Sequence, residues 1–250
     1  MKHLTPNNSP PTPHILQEGG VEFVLGKKKG DTILYDFPKM LHYLSAKGKM
    51  LFGDKFKIYE EDHKIIYQLC LYFIRDEISC VKFNMNPNKG ILLSGPVGCG
   101  KTTLMKLMRH LVPHHRPYEI IPTRNIVFGF NNLGYSIIEQ YGNNNIYCFD
   151  DLGVEPEGKH FGKDCNVMGE ILLSRHDLFT QCHLERSRKV SYSEKPTSNF
   201  PPKQNHNLTH ITTNLNAEEI EDRYGNRVRS RLREMVNVIG FDKNTKDKRK

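Results

Sequence analysis

Five short apolar runs follow residue 88, and each is bounded by polar or turn-forming residues. The runs are Gly90–Ser94, Tyr118–Ile121, Ile146–Phe149, Ile211–Thr213 and Val236–Phe241. Runs of this length are typical of strands that are buried on both faces of a parallel sheet. Because helical patterns lie between them, the sequence predicts an α/β fold, a doubly wound parallel sheet flanked by helices.

The chain before residue 89 has a different pattern, in which apolar residues return at helical spacing. Pro38 is placed to start a helix and Gly48 to end it, and a second helix is predicted over Glu61–Asp76. We expect residues 21–88 to form a mainly helical accessory region without recognisable chemistry. Residues 1–20, which carry four prolines, are predicted to be a flexible tail.

Two later segments depart from the alternation of strands and helices. Residues 183–208 contain three prolines and four serines, and their five Lys and Arg residues outnumber two Glu residues. This composition predicts an exposed basic insertion, which is either a DNA contact or only a solvated loop. Residues 242–250 are predicted to be a basic tail.

Composition narrows the class of protein. Hydrophobic residues make up 37% and charged residues 26% of the 250 residues, which is typical of a soluble globular protein. No apolar run reaches the length of about 18 residues that a membrane-spanning helix needs, and the first residues lack the apolar core of a secretory signal. Six cysteines without C-x-x-C spacing indicate reduced thiols. We therefore expect a cytoplasmic protein with no membrane contact.

The charge balance bears on the partner. The chain has 36 Lys and Arg residues against 28 Asp and Glu residues, a formal net charge of +8. This balance favours a polyanionic partner such as DNA, but an ordinary basic cytoplasmic protein would have it too. Charge alone leaves both interpretations open.

A phosphate-binding loop is the most specific motif in the chain. The segment GPVGCGKT matches G-x-x-x-x-G-K-[ST] at every fixed position and lies between a predicted strand and a predicted helix. Its glycines let backbone N–H groups surround a phosphate, and the helix N-terminus adds positive potential. Lys101 can contact the β- and γ-phosphates, and the Thr102 hydroxyl can ligate Mg²⁺. The predicted nucleotide-binding residues are Gly95, Pro96, Val97, Gly98, Cys99, Gly100, Lys101, Thr102 and Thr103.

An acidic pair ends the third predicted strand. Asp150 and Asp151 follow Ile146–Phe149 directly. Ligands of open parallel sheets bind at the carboxyl ends of the strands, so the pair is expected beside the phosphate loop. Asp150 can then hold Mg²⁺ and Asp151 can orient or polarise the attacking water. The alternative is an ordinary Asp-Asp turn after a strand.

Polar and basic residues follow the fourth predicted strand. Asn214 is placed to position water near the γ-phosphate, or simply to begin a turn before a helix. Beyond Gly225, which is predicted to end one helix, Arg227 and Arg231 share one face of the next helix. That face is either solvated, a DNA-phosphate contact, or the source of an arginine finger that reaches a neighbouring subunit.

Four segments, taken in order, resemble the motifs of one ATPase family. They are GPVGCGKTT, IYCFDDLGVEP, HITTNLN and RYGNRVRSRLREM. Together they are similar to the motifs of AAA+ ATPases and, more narrowly, of bacterial helicase loaders of the DnaC type and transposition helper ATPases of the IstB type. The Asp-Asp-Leu-Gly ending of the second segment is typical of that clade. The resemblance covers residues 89–241.

This resemblance implies a P-loop NTPase fold that binds ATP with Mg²⁺ and assembles into a ring or spiral of subunits. It implies a sensor role for Asn214 and an arginine finger on Arg231, with Arg227 as second choice. Because nine residues follow Phe241, it also implies that the usual carboxyl-terminal helical lid is missing.

The expected function is ATP hydrolysis in DNA metabolism. The leading interpretation is a replicative helicase loader that binds single-stranded DNA and a hexameric helicase. The alternatives are a transposition helper with a transposase partner, a small-molecule kinase, and a nucleotide-dependent interaction protein that does not hydrolyse ATP.

Overall fold

A computed structural model of the chain describes residues 14–30, 32–112, 118–190 and 207–249, with residues 183–190 described by their backbone alone. Within these ranges, none of the helices has the length and apolar character of a membrane span. The ranges include all of the predicted phosphate loop and the acidic pair.

The amino-terminal part contains four short strands before its helices. Its elements are β1 (Ile15–Glu18), β2 (Val21–Val24), β3 (Gly26–Lys29), β4 (Thr32–Tyr35), α1 (Phe37–Phe52), α2 (His63–Phe73) and α3 (Glu77–Lys82). The strands form two antiparallel hairpins, β1–β2 and β3–β4. The prediction of a mainly helical region missed these strands, although β1, β2 and β4 contain β-branched or aromatic residues, which favour extended structure. The prediction of a flexible tail over residues 1–20 is wrong for β1, and residues 1–13 lie outside the described residues.

Helix α1 passes through Gly48, where the sequence predicts its end. An added Cβ at Gly48 would lie 2.0 Å from the ring of Phe56, so this glycine provides room for close packing. The helix ends before Gly53, whose φ of +91° a side chain would disfavour. A short 3₁₀ turn at Glu60–Asp62 then leads into α2, inside the range predicted for the second helix.

The remaining elements build one parallel sheet with its connections. They are β5 (Gly90–Ser94), α4 (Lys101–Met108), β6 (Glu119–Pro122), α5 (Thr123–Leu133), α6 (Ser136–Tyr141), β7 (Tyr147–Leu152), β8 (Gly158–His160), β9 (Lys163–Cys165), α7 (Val167–Val190), β10 (Thr209–Thr213), α8 (Ala217–Met235) and β11 (Val236–Gly240). The strand order is β11-β5-β10-β7-β6, and neighbouring strands are parallel. All five predicted strands are confirmed. In this order β10 lies between the strand that leads into the phosphate loop and the strand that carries the acidic pair.

Helices cover both faces of the sheet, as predicted. One apolar core joins α1, α2 and α4 to the sheet, and the other joins α5, α7 and α8 to it. The first core contains Leu44 from α1, Leu69 from α2 and Leu107 from α4. The amino-terminal helices therefore share a core with the sheet and are part of the same folded unit.

The observed bounds of two helices can be compared with the predicted ones. Helix α7 continues to Val190, so the predicted insertion over residues 183–208 begins as helix and its loop assignment is wrong there. Residues 191–206 of that segment lie outside the described residues. Helix α8 begins at a capping box formed by Asn216 and Glu219 and is kinked at Gly225, where the sequence predicts a break.

Arg175 of α7 lies at the amino-terminal ends of β7 and β10, on the side of the sheet opposite the phosphate loop. Its side chain is fully buried, and its guanidinium stacks against the ring of Tyr147. The hydrogen-bond acceptors are the carbonyl oxygens of Tyr141, Asn143, Asn145, Asn207 and Leu208 and the hydroxyl of Thr209. Burial lowers the pKa of Arg175 to about 10. One cation thus ties the entry points of β7 and β10 together.

Candidate nucleotide site

The phosphate loop joins β5 to α4 as the motif predicts. Gly98 and Gly100 have φ values of +81° and +102°, which glycine adopts without strain. Lys101 is the first residue of α4 and is buried. Its Nζ donates hydrogen bonds to the carbonyl oxygens of Gly95 at 2.7 Å and Pro96 at 2.8 Å. The ammonium group is therefore held inside the loop.

Thr102 and Asp150, the predicted metal pair, are in direct contact. The Thr102 hydroxyl donates to Asp150 Oδ1 at 2.7 Å. The hydroxyl of Thr212 on β10 donates to the same carboxylate oxygen, also at 2.7 Å. Asp150 is buried beneath these two hydroxyls. A hydroxyl and a carboxylate are hard oxygen ligands of the kind that Mg²⁺ takes in proteins, so the pair fits this ion.

A bulge between β7 and β10 places both aspartates around Thr212. Ile211 pairs with Phe149 and Thr213 pairs with Leu152, so two residues of β7 face one residue of β10. Those two residues are Asp150 and Asp151. Thr212 donates to the Asp150 carboxylate and accepts a hydrogen bond from the Asp151 backbone N–H at 2.9 Å.

Asp151 has a left-handed backbone, with φ of +59°. Its carbonyl oxygen accepts a hydrogen bond from the Thr123 hydroxyl at 3.0 Å, and its N–H is bound by Thr212. This conformation is costly for a non-glycine residue and persists where the neighbours hold it, which is common at functional sites. Burial raises the pKa of Asp151, and the nearby carboxylate of Asp150 raises it further.

A cavity of about 580 Å³ lies over the phosphate loop. Residues 97–104, Asp151 and Asn214 line one side of it. Gly95 and Pro96 are not part of its lining and contribute the carbonyl oxygens that bind Lys101. Lys248 and Arg249 also line the cavity. Its volume lies in the range typical of ligand sites.

The segment between α1 and α2, in which the sequence shows no chemistry, also lines this cavity. Phe56, Ile58 and Tyr59 give the lining a partly apolar surface, with Lys55 and Lys57 beside them. An apolar surface in the same cavity as a phosphate loop suits the base of a nucleotide. The available signal was the alternating FKIY run after Gly53.

The two predicted arginines lie apart from this cavity. Arg227 is exposed on α8, and Arg231 Nη1 contacts Glu234 Oε1 at 3.2 Å. Neither residue lines the cavity. The structure therefore brings Lys101, Thr102, Asp150, Asp151 and Asn214 together and leaves the arginines on the surface of α8.

Thr212 is a further residue of the site that the sequence analysis missed. Its signal was the pair of hydroxyl residues at the end of the strand. The phosphate loop, the acidic pair and the polar end of β10 meet at the carboxyl edge of one parallel sheet. The chain has the P-loop NTPase fold. That fold and its motifs account for the position of the cavity.

Comparison with known families agrees with the presence of a phosphate loop. Residues 91–176 match a family model described as RNA helicase, which covers about a third of the chain. No curated protein sequence matches the chain.

Several solved structures match the chain, and three of them are as follows. The crystal structure of the DnaC helicase loader is 17% identical, with 76% of this chain and 95% of that chain covered and a TM-score of 0.49. A putative primosome component from Streptococcus pyogenes serotype M3 is 15% identical over 75% of this chain and 83% of its own, with a TM-score of 0.46. AMPPCP-bound DnaA from Aquifex aeolicus is 12% identical over 77% of this chain and 50% of its own, with a TM-score of 0.42.

Proposed function

We propose that the protein is a Mg²⁺-dependent ATPase of the AAA+ type that acts in DNA metabolism as a helicase loader. The observation that carries this proposal is the network in which Thr102 and Thr212 both donate to Asp150 beside the buried Lys101. It unites the phosphate loop, the acidic strand and the intervening strand, the three parts that phosphoryl transfer from a nucleotide requires.

The residues divide the chemistry between them. Lys101 neutralises charge on the β- and γ-phosphates, and Thr102 with Asp150 would hold Mg²⁺, which supplies further positive charge to the phosphates. Asp151 accepts a hydrogen bond from the attacking water, and its raised pKa makes it a stronger proton acceptor than an ordinary aspartate. The Asn214 amide, which lines the same cavity, helps to orient that water.

Self-association of the chain would bring an arginine of one subunit to the ATP site of its neighbour. Arg231 is half-buried on α8 and is bound only to Glu234 of its own helix among the described contacts, and Arg227 is exposed. Because neither reaches the cavity of its own chain, both are free to face another subunit. We assign the arginine finger to Arg231, with Arg227 as the second candidate.

The first experiment measures ATP binding and hydrolysis by the purified chain, alone and with single-stranded or double-stranded DNA. K101A is the control for the phosphate loop, and salt is varied because phosphate contacts weaken steeply as it rises. We expect hydrolysis that needs Mg²⁺, rises with single-stranded DNA and is lost in K101A. Phosphorylation of a small molecule with little hydrolysis would instead point to a kinase, and binding without turnover to a nucleotide-dependent interaction protein.

The hairpin β8–β9 offers a contact for a single strand of nucleic acid. Phe161 at its tip is 94% exposed, and Lys159 and Lys163 flank it. The hairpin is fixed to α5, because the Lys159 N–H donates to Asn131 Oδ1 at 2.7 Å. An exposed aromatic side chain on a fixed base suits base stacking, which is tolerant of sequence.

The matching test compares F161A with F128A, since Phe128 is an exposed phenylalanine on α5. Binding of a fluorescent oligothymidine is measured at several salt concentrations. Loss of one stacked base should weaken binding about 5- to 100-fold in F161A, with F128A close to wild type. Equal affinities of both variants and the wild type would remove the hairpin from the DNA site.

The match to an RNA helicase model supports a second candidate, in which the polyanion is RNA. Single-stranded RNA in the same assays distinguishes the two, because the ligand that stimulates hydrolysis at the lower concentration is the preferred one. Pull-down with a hexameric replicative helicase or with a transposase then separates helicase loading from a transposition helper role.

A further inference from the structure

Residues 242–249, which charge alone describes as a basic tail, fold back against the phosphate loop. The Phe241 N–H donates to the Ser94 carbonyl oxygen at 2.8 Å and continues the edge of the sheet. Further along, the Lys248 N–H donates to the Gly98 carbonyl oxygen at 3.0 Å. The Asp247 carboxylate lies against Gly98, where an added Cβ would be 2.2 Å from Asp247 Oδ1. The phosphate loop and this segment are thus in contact through main chain and side chain.

The Lys248 side chain joins this segment to the turn before α2. Its Nζ donates to Asp62 and lies 3.5 Å from Glu61 Oε1. It also lies 5.3 Å from the ring centres of Tyr59 and Phe241. Asp62 is buried, so an ion pair here is shielded from water and stronger than one on the surface. Lys248 therefore holds the segment across one side of the cavity.

Arg249 follows Lys248 in the chain and lies at the same cavity. It lines the cavity together with Asp151 of the acidic pair, and the opposite charges of the two side chains interact. Its guanidinium is bound to the Asp247 carboxylate, with Nη2 2.6 Å from Oδ2. Arginine binds carboxylates and phosphates through the same planar set of donors, so a phosphate can take the place of Asp247.

We propose that Asp247–Arg249 forms a strap that completes the nucleotide site, with Lys248 as its anchor and Arg249 as a second phosphate-binding cation of the same chain. The proposal rests on the proposed ATP site. The end of the cavity near Asp151 is where the attacking water and the terminal phosphate meet, so Arg249 is assigned to the γ-phosphate. Lys248 positions the strap and does not contact the nucleotide, because its ammonium group is paired with Asp62.

The test measures equilibrium affinities for ATP and for ADP in R249A, K248A and D62N. K246A is the matched control, since Lys246 is an exposed cation of the same segment that does not line the cavity. In R249A we expect ATP affinity to fall about tenfold and ADP affinity to change much less. In K248A and D62N both affinities should fall, and combining the two substitutions should add little. K246A should bind both nucleotides like the wild type.

Three outcomes overturn the proposal. If K101A abolishes binding while R249A and K248A bind like the wild type, the ATP site stands and the strap does not belong to it. If the strap variants bind more tightly or hydrolyse faster, the segment covers the site and opposes binding. If the wild type binds no ATP, the proposed function fails and the strap fails with it. Thermal unfolding without nucleotide is recorded for each variant, and R249A, at an exposed position, tests the proposal even where K248A fails to fold.

Discussion

A buried histidine on β10 makes the stability of the fold sensitive to acid. His210 is buried between the rings of Tyr118, Tyr72 and Phe73, and its Nδ1 accepts a hydrogen bond from the Ile91 N–H at 3.1 Å. Burial, together with the charge of Arg175, lowers the pKa of His210 to about 3. The folded protein therefore holds this imidazole in its neutral form.

The direction of the effect follows from proton uptake. Between pH 6.5 and pH 3 the unfolded chain binds a proton at His210 and the folded chain does not, so acid favours unfolding. The free energy of unfolding should fall by about 1.4 kcal/mol per pH unit once the pH is well below 6.5. Relative to pH 8, this residue alone should lower it by about 2 kcal/mol at pH 5.

The assay is urea unfolding followed by circular dichroism at several pH values from 8 to 4.5. H210N keeps an acceptor near the Ile91 N–H but cannot be protonated, and H42N at an exposed position controls for the substitution itself. The quantity compared is the slope of unfolding free energy against pH, which a uniform loss of packing leaves unchanged. We expect the slope of H210N to be smaller than that of the wild type by about 1.4 kcal/mol per pH unit, which is the value for one proton. Parallel slopes in wild type and H210N would refute the argument.

The remaining predictions concern the sheet and the site. R175M should lower the free energy of unfolding by at least about 3 kcal/mol in the same assay, because it leaves several buried carbonyl groups unpaired. A loss under about 1 kcal/mol would contradict the role of Arg175 in joining β7 to β10. T212V should reduce ATP hydrolysis at least tenfold at unchanged ATP affinity, since it frees both aspartates while leaving the phosphate loop intact, and a change in affinity alone would count against this role. R231A should hydrolyse ATP slowly even when assembled on DNA, whereas R233A, at an exposed position on the same helix, should not; equal rates would exclude the finger.

Local patterns predicted much of this fold. The five strands of the sheet coincide with short, largely apolar segments between polar ones, so their positions could be identified without knowledge of their neighbours. The phosphate loop and the acidic pair each lie on consecutive residues at the end of such a run. Their approach in space follows from the general rule for parallel sheets.

Features that depend on distant pairings could not be predicted in this way. Thr212 acts on the acidic pair because β10 lies beside β7 with a bulge, although the residues are about 60 positions apart in sequence. Lys248 is half-buried against Asp62, which lies 186 residues earlier in the chain. Seen alone, a hydroxyl in a strand and a lysine in a charged run indicate only a polar strand end and a solvated tail.

The two ends of strand β10, which has five buried residues, make different contacts. At one end Thr212 binds both aspartates, and at the other Thr209 is bound by the guanidinium of Arg175. Five residues of extended chain span roughly 16 Å. Asn207 and Leu208, which directly precede the strand, also bind Arg175 through their carbonyl oxygens. One short extended segment thus links the carboxylates of the candidate site to a buried cation at the opposite edge of the sheet.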